Sequence, residues 1–130
     1  MKEVNFIPCE VILIIQREII QLYGGIPGLR DRDLLESAME QPKTSYDGVF
    51  LHETIFEMAA AYGFHLSQKH PFFDGNKRIS LIAMDIFLQE NGYEIVASEK
   101  ELFKLMMSLS EGNIAKKELS VWIKANSQQL

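Results

Sequence analysis

The chain is predicted to be all-α, a bundle of about six helices around a central apolar helix at about residues 76–90. Three observations predict it. Apolar residues recur at three- and four-residue spacing through most of the sequence. Between positions 79 and 88 only Ser80 and Asp85 are polar, and a helix apolar nearly all round belongs in the middle of a fold. Glycines, prolines and capping residues fall between the apolar stripes, where helices start and stop.

The first helix is expected over residues 8–23, with Pro8 in its first turn, where a missing N–H costs nothing. Ile12, Ile15, Ile19, Leu22 and Tyr23 make its apolar stripe, and Gly24 and Gly25 stop it. After the turn at 24–28, a second helix starts with Asp31 as cap, carries Leu34, Leu35, Ala38 and Met39, and ends at Pro42. Residues 43–51 read as an exposed connection. A third helix, about 53–67, buries Ile55, Ala59, Tyr62 and Leu66. The central helix follows a loop at 69–75 and closes at Asn91-Gly92. Residues 93–96 form a short extended piece. Ser98 and Glu101 make a capping box opening a fifth helix, which buries Leu102, Leu105, Met106 and Leu109. After Gly112-Asn113 a last helix carries Ala115, Leu119, Trp122 and Ile123.

Length and composition bound the rest. The 130 residues suit one domain spanning 1–130, with no repeat, linker or low-complexity tract. With 47% hydrophobic and 24% charged residues, disorder and fibrous repeats are excluded. The apolar run at 11–15 is too short to span a bilayer. A lone Cys9 fits a reducing compartment, and the protein is expected to be cytoplasmic. A net charge of −5 argues against general nucleic-acid binding, which needs a basic face. A local anion site survives that objection, because Lys69, Lys77 and Arg78 lie within ten residues of one another.

The loop from His70 to Arg78 carries the chemistry. Pro71 and Gly75 exclude regular helix there. The central helix begins at its end, and a helix N-terminus offers unpaired N–H groups and a positive dipole end. Behind a glycine this is an anion cradle, and Lys77 and Arg78 add full charge to it. Asp74 has the wrong sign to bind phosphate directly but suits a bridging Mg²⁺. His70 supplies an imidazole, the side chain most often used for proton transfer in catalysis. Cradle, metal carboxylate and base are the parts of phosphoryl or nucleotidyl transfer. Plainer roles exist for each residue. His70 alone is a cap or surface histidine, Asp74 a cap for the central helix, Lys77 and Arg78 solvated charges. Phe72 and Phe73 are expected to be core anchors fixing the loop. His52 and His65 are read as ordinary cap or surface histidines, His65 packing on or near the face of its helix. A transition-metal pair of His70 and Asp74 needs a helix that Pro71 and Gly75 forbid.

The run His70-Pro71-Phe72-Phe73-Asp74-Gly75-Asn76-Lys77-Arg78 resembles the signature of the Fic/Doc superfamily. The general Fic pattern reads H-P-F-x-[DE]-G-N-G-R, and the Doc pattern H-x-F-x-[DN]-[AG]-N-K-R. The stretch at 23–31 and Leu34-Leu35-Glu36-Ser37-Ala38 are similar to the N-terminal region of Doc (death-on-curing) type toxins, and residues 87–92 to the end of the family's motif helix. The resemblance implies a six-helix Fido fold and a toxin paired with a Phd-like antitoxin. It implies transfer of the γ-phosphate of ATP to a threonine of elongation factor Tu, stopping translation. On this chain His70 would deprotonate the hydroxyl, Asp74 would hold Mg²⁺, and Gly75, Asn76, Lys77 and Arg78 would form the anion hole.

The sequence mixes the two patterns. Pro71 and Gly75 are common in Fic AMP-transferases, whereas Lys77 is the Doc choice and Leu81 stands where many Fic enzymes have a second Arg. A long cation at 77 fills the space in which a Fic enzyme seats the α/β-phosphates, which favours phosphoryl transfer. AMP transfer to a protein hydroxyl is the alternative, and a non-catalytic antitoxin-binding partner the second. Glu111-Gly112 ends like the inhibitory pattern [ST]-x-x-x-E-[GN], but Met107 stands at its start, so inhibition by a separate antitoxin fits better.

Overall fold

A computed structural model describes residues 3–130. Six helices dominate it, and the strands are short, as an all-α Fido fold requires. Helix α1 runs Cys9–Tyr23, with Pro8 just outside as its N-cap. It buries Ile12, Gln16 and Ile19. Leu22 and Tyr23 are a correction to the expected stripe: they are 76% and 63% exposed. The last turn of α1 runs past the core, and there the Arg78 guanidinium lies 4.0 Å from the centre of the Tyr23 ring.

Helix α2 (Arg32–Glu40) is capped by Asp31, whose side chain accepts from the Leu34 N–H. Pro42 does not end the run outright. It sits buried inside a 3₁₀ turn, Gln41–Lys43, at a position that needs no N–H donor. The connection at 43–51 is a small hairpin. Strands β1 (Ser45–Tyr46) and β2 (Val49–Phe50) pair antiparallel, and Asp47 and Gly48 between them both have positive φ. Two positive-φ residues make the tight turn whose twist suits a hairpin.

Helix α3 (Ile55–Lys69) opens on a capping box of Thr54 and Glu57 and buries Met58, Ala59, Ala60, Ala61, Tyr62 and Leu66. Helix α4 (Asn76–Glu90) starts and stops where its pattern predicts, and buries Ile79, Ser80, Ala83, Met84, Phe87 and Leu88. The central place is shared: α3 packs on α4 and also touches α2, α5 and α6. Small residues on α3 allow this closeness. A Cβ at Gly63 would collide with Met84 of α4.

Strand β3 (Tyr93–Ile95) pairs antiparallel with β4 (Ser127–Gln129), which the sequence pattern did not reveal. Helix α5 (Glu99–Ser110) has the expected Ser98–Glu101 capping box. Helix α6 (Lys116–Ala125) packs Leu119 and Ile123 onto the core. Buried apolar residues from all six helices form one cluster. No helix among the described residues is long and apolar enough to cross a membrane.

Candidate active site

The loop between α3 and α4 is short and bends sharply at both ends. His70 is in the left-handed region (φ 46°, ψ 58°) and ends α3. A non-glycine residue there costs about 1–3 kcal/mol unless its surroundings hold it. Gly75, also left-handed (φ 84°), precedes α4. Just after Gly75, Asn76 closes the loop on itself. Its side chain accepts from the Phe72 N–H at 3.1 Å and donates to the Phe72 carbonyl at 2.9 Å. Phe72 is buried and anchors the loop as expected. Phe73 corrects the other half of that expectation, being 52% exposed. The loop alternates sides here, as the bridge between Leu29 and Phe72 shows.

The segment after α1 forms the other wall. The Ile26 N–H donates to Asp74 Oδ2 at 2.6 Å, and the Phe73 N–H donates to the Gly28 carbonyl at 3.3 Å. Gln16, buried on α1, joins both segments. Its amide nitrogen donates to the carbonyls of Ile26 (3.4 Å) and Asp74 (3.3 Å), and its oxygen accepts from the Gly28 N–H (3.1 Å). A Cβ at Gly25 would lie 3.0 Å from Cβ of Asp74, so only glycine lets the two loops meet this closely. Arg30 reaches across to the carbonyls of Lys69 and His70.

These contacts assemble a concavity of about 230 Å³ lined by all six sequence-predicted residues, His70, Asp74, Gly75, Asn76, Lys77 and Arg78, together with Phe73. Asp74 does not cap α4: Gly75 is the N-cap, and no side chain caps that end. The first intrahelical bond is Ile79 N–H to the Gly75 carbonyl, so the N–H groups of the first turn have no helical partner. Its side chain is anchored to Phe72, so Asn76 faces the cavity chiefly with its backbone N–H. Lys77 and Arg78 are exposed. Among the described residues no three His, Cys, Asp or Glu side chains gather around a point. Asp74 is the one carboxylate among the cavity's described lining residues, and a lone carboxylate suits Mg²⁺, which keeps waters and takes its remaining ligands from phosphate oxygens. A larger concavity of about 470 Å³ is bordered by Glu3, Asn5, Glu53, Asn91 and Tyr93, and among the described residues no cation or histidine lines it.

The other two histidines stay outside this cavity. His65 Nε2 lies 3.1 Å from Lys116 Nζ, and burial and that ammonium push the imidazole down to about 4. Burial and Lys116 also lower His52. Sequence reasoning missed Gln16 and Arg30. A signal existed for Gln16, a polar residue four positions after Ile12 on the buried face of α1; for Arg30 the signal was only its place in the stretch at 23–31 that resembles Doc-type toxins.

Comparison with known proteins places the chain in a family. Residues 6–88 match the Fic/DOC family. A curated relative, the "Protein kinase doc" of Escherichia phage P1, is 30% identical over 108 residues, which covers 82% of each chain. "Toxin Doc" of Mycolicibacterium smegmatis (strain ATCC 700084 / mc(2)155) is 35% identical over 75 residues, 58% of each chain. The chain belongs to the Fic/Doc family.

Proposed function

We propose that this protein is a Doc-type toxin of a toxin-antitoxin system, a Mg²⁺- and ATP-dependent phosphotransferase acting on a protein hydroxyl. The observation that carries the reading is Lys77. It stands in the first turn of α4, on the wall of the cavity that also holds His70, Asp74 and Arg78. A cation there grips phosphate where an AMP-transferase would leave room for it. The relative named a protein kinase supports the same chemistry, and the relative named a toxin supports the biological role.

Each residue then has a role. A His70 ring nitrogen accepts the proton of the target hydroxyl as its oxygen attacks the γ-phosphorus, and ADP leaves. The N–H groups at the start of α4, with Lys77 and Arg78, hold the phosphate oxygens and stabilise the charge that builds there. Asp74 would hold Mg²⁺ together with those oxygens; bound Mg²⁺ supplies charge neutralisation. The Ile26 N–H keeps the Asp74 carboxylate turned toward the site wall. The substrate we propose is a threonine of elongation factor Tu, whose modification in the cytoplasm would arrest translation, and the inhibitor a Phd-like antitoxin folding onto an exposed groove.

The test uses the full chain, Mg²⁺, elongation factor Tu, and ATP labelled at either the α- or the γ-phosphate. Label on the factor from the γ position alone is the expected result, lost in His70→Ala with the fold retained. Label from the α position would mean AMP transfer. No label from either, with no nucleotide bound, would mean a binding-only partner.

A further inference from the structure

Arg30 donates to three consecutive carbonyls. Its Nη2 meets the Lys69 carbonyl at 3.0 Å, its Nε the His70 carbonyl at 2.8 Å, and its backbone N–H the Pro71 carbonyl at 2.8 Å. The first two carbonyls belong to the peptide planes on either side of the His70 α-carbon. The angles φ and ψ of a residue are the relation between those two planes. One planar guanidinium that holds both planes therefore fixes both angles. His70 needs this, because its left-handed conformation is one that a residue with a Cβ leaves unless the surroundings over-determine it.

We propose that Arg30 is a positioning residue for His70, its guanidinium locking the left-handed turn that keeps the imidazole on the wall of the α4 cavity. This rests on the reading of His70 as the proton acceptor. Arg30 is brought there by its own segment: the N–H groups of Arg30 and Asp31 both donate to the Pro71 carbonyl, and Asp31 caps α2. The loop leading into α2 thereby sets the geometry of the loop leaving α3. A lysine cannot replace this. It keeps the positive charge near the C-terminal end of α3, but a single ammonium lacks the rigid fork that spans two carbonyls.

The experiment compares wild type, Arg30→Lys and Arg30→Gln as full chains, with melting temperature as the check on folding. The first readout is the backbone chemical shift and amide–α-proton coupling of His70, which report a positive φ. The second is kcat and KM for ATP in the γ-label assay. Arg30→Lys is expected to fold and to lose the positive-φ signature. Its kcat should fall about 100-fold, the usual scale for an ångström of misplacement, with KM for ATP within about twofold of wild type. Arg30→Gln decides the matter if the lysine variant does not fold. A retained positive-φ signature, an unchanged kcat, or a loss confined to KM overturns the proposal. Failure of wild type to transfer label refutes the phosphotransfer reading separately, and the His70 backbone signature then decides the positioning claim.

Discussion

Gln16 is the most informative residue to perturb, because two substitutions of similar size must behave differently. It is 1% exposed and makes three hydrogen bonds to the loops at 26–28 and 74. Gln16→Met preserves the volume and deletes all three. Neutral hydrogen bonds contribute about 1 kcal/mol each, and two of these are long, so the expected loss is about 2 kcal/mol. For a chain of this length that lowers Tm by roughly 6–10 °C. Gln16→Glu keeps an acceptor for the Gly28 N–H but aims a carboxylate oxygen at two carbonyls. Only the protonated acid can donate, and its one O–H serves one carbonyl at a time, so the folded state raises the pKa of this carboxyl. A raised folded pKa means that stability is present below the ordinary value of about 4.3 and is lost as pH rises. Holding the proton costs about 1.4 kcal/mol per pH unit, about 1 kcal/mol at pH 5 and about 4 kcal/mol at pH 7. Urea denaturation at both values therefore ranks Gln16→Glu above Gln16→Met at pH 5 and below it at pH 7. The reasoning is refuted if the glutamate variant is as stable as wild type at pH 7, or if its loss does not depend on pH.

Three further outcomes are expected. Tyr62→Phe strands the buried Ile7 N–H, which the Tyr62 hydroxyl accepts from at 3.0 Å, and should cost about 1–3 kcal/mol in urea melts. Gly63→Ala gains about 1 kcal/mol of helix propensity but drives a methyl into the buried Met84, an overpacking that costs about 1–3 kcal/mol, so a net loss is expected and a net gain would contradict the close α3–α4 contact. His65, held down to about 4 in the fold against 6.5 unfolded, refuses a proton that the unfolded chain accepts. Stability should therefore fall as pH drops from 6.5 to about 4, and His65→Gln should flatten that slope in urea midpoints measured across the range.

Local physics made much of the molecule legible. Helix α4, expected at about residues 76–90, was readable because Gly75 breaks the chain before it and Asn91-Gly92 after it. The Asp31 cap and the Ser98–Glu101 box involve partners three residues apart and need nothing distant. The same holds for the irregular loop at 70–75, since Pro71 and Gly75 forbid helix whatever surrounds them. All six motif residues reach one cavity for that reason: the loop is too short to send them elsewhere.

The sequence by itself thus determined the helices, their ends and the set of reactive groups at the start of α4, because each follows from neighbours along the chain. Tertiary structure alone decided how those groups are held. Whether Asp74 caps α4 or meets the Ile26 N–H depends on where the loop after α1 lands, 48 residues away in sequence. The left-handed turn at His70 depends on Arg30, 40 residues distant. Leu22, Tyr23 and Phe73 carry apolar side chains at positions that pattern assigns to a core, yet all three are exposed, since burial requires a partner element and pattern along the chain does not say where one lands. Strand β4 has no apolar alternation to announce it, and exists because the end of α6 delivers it beside β3.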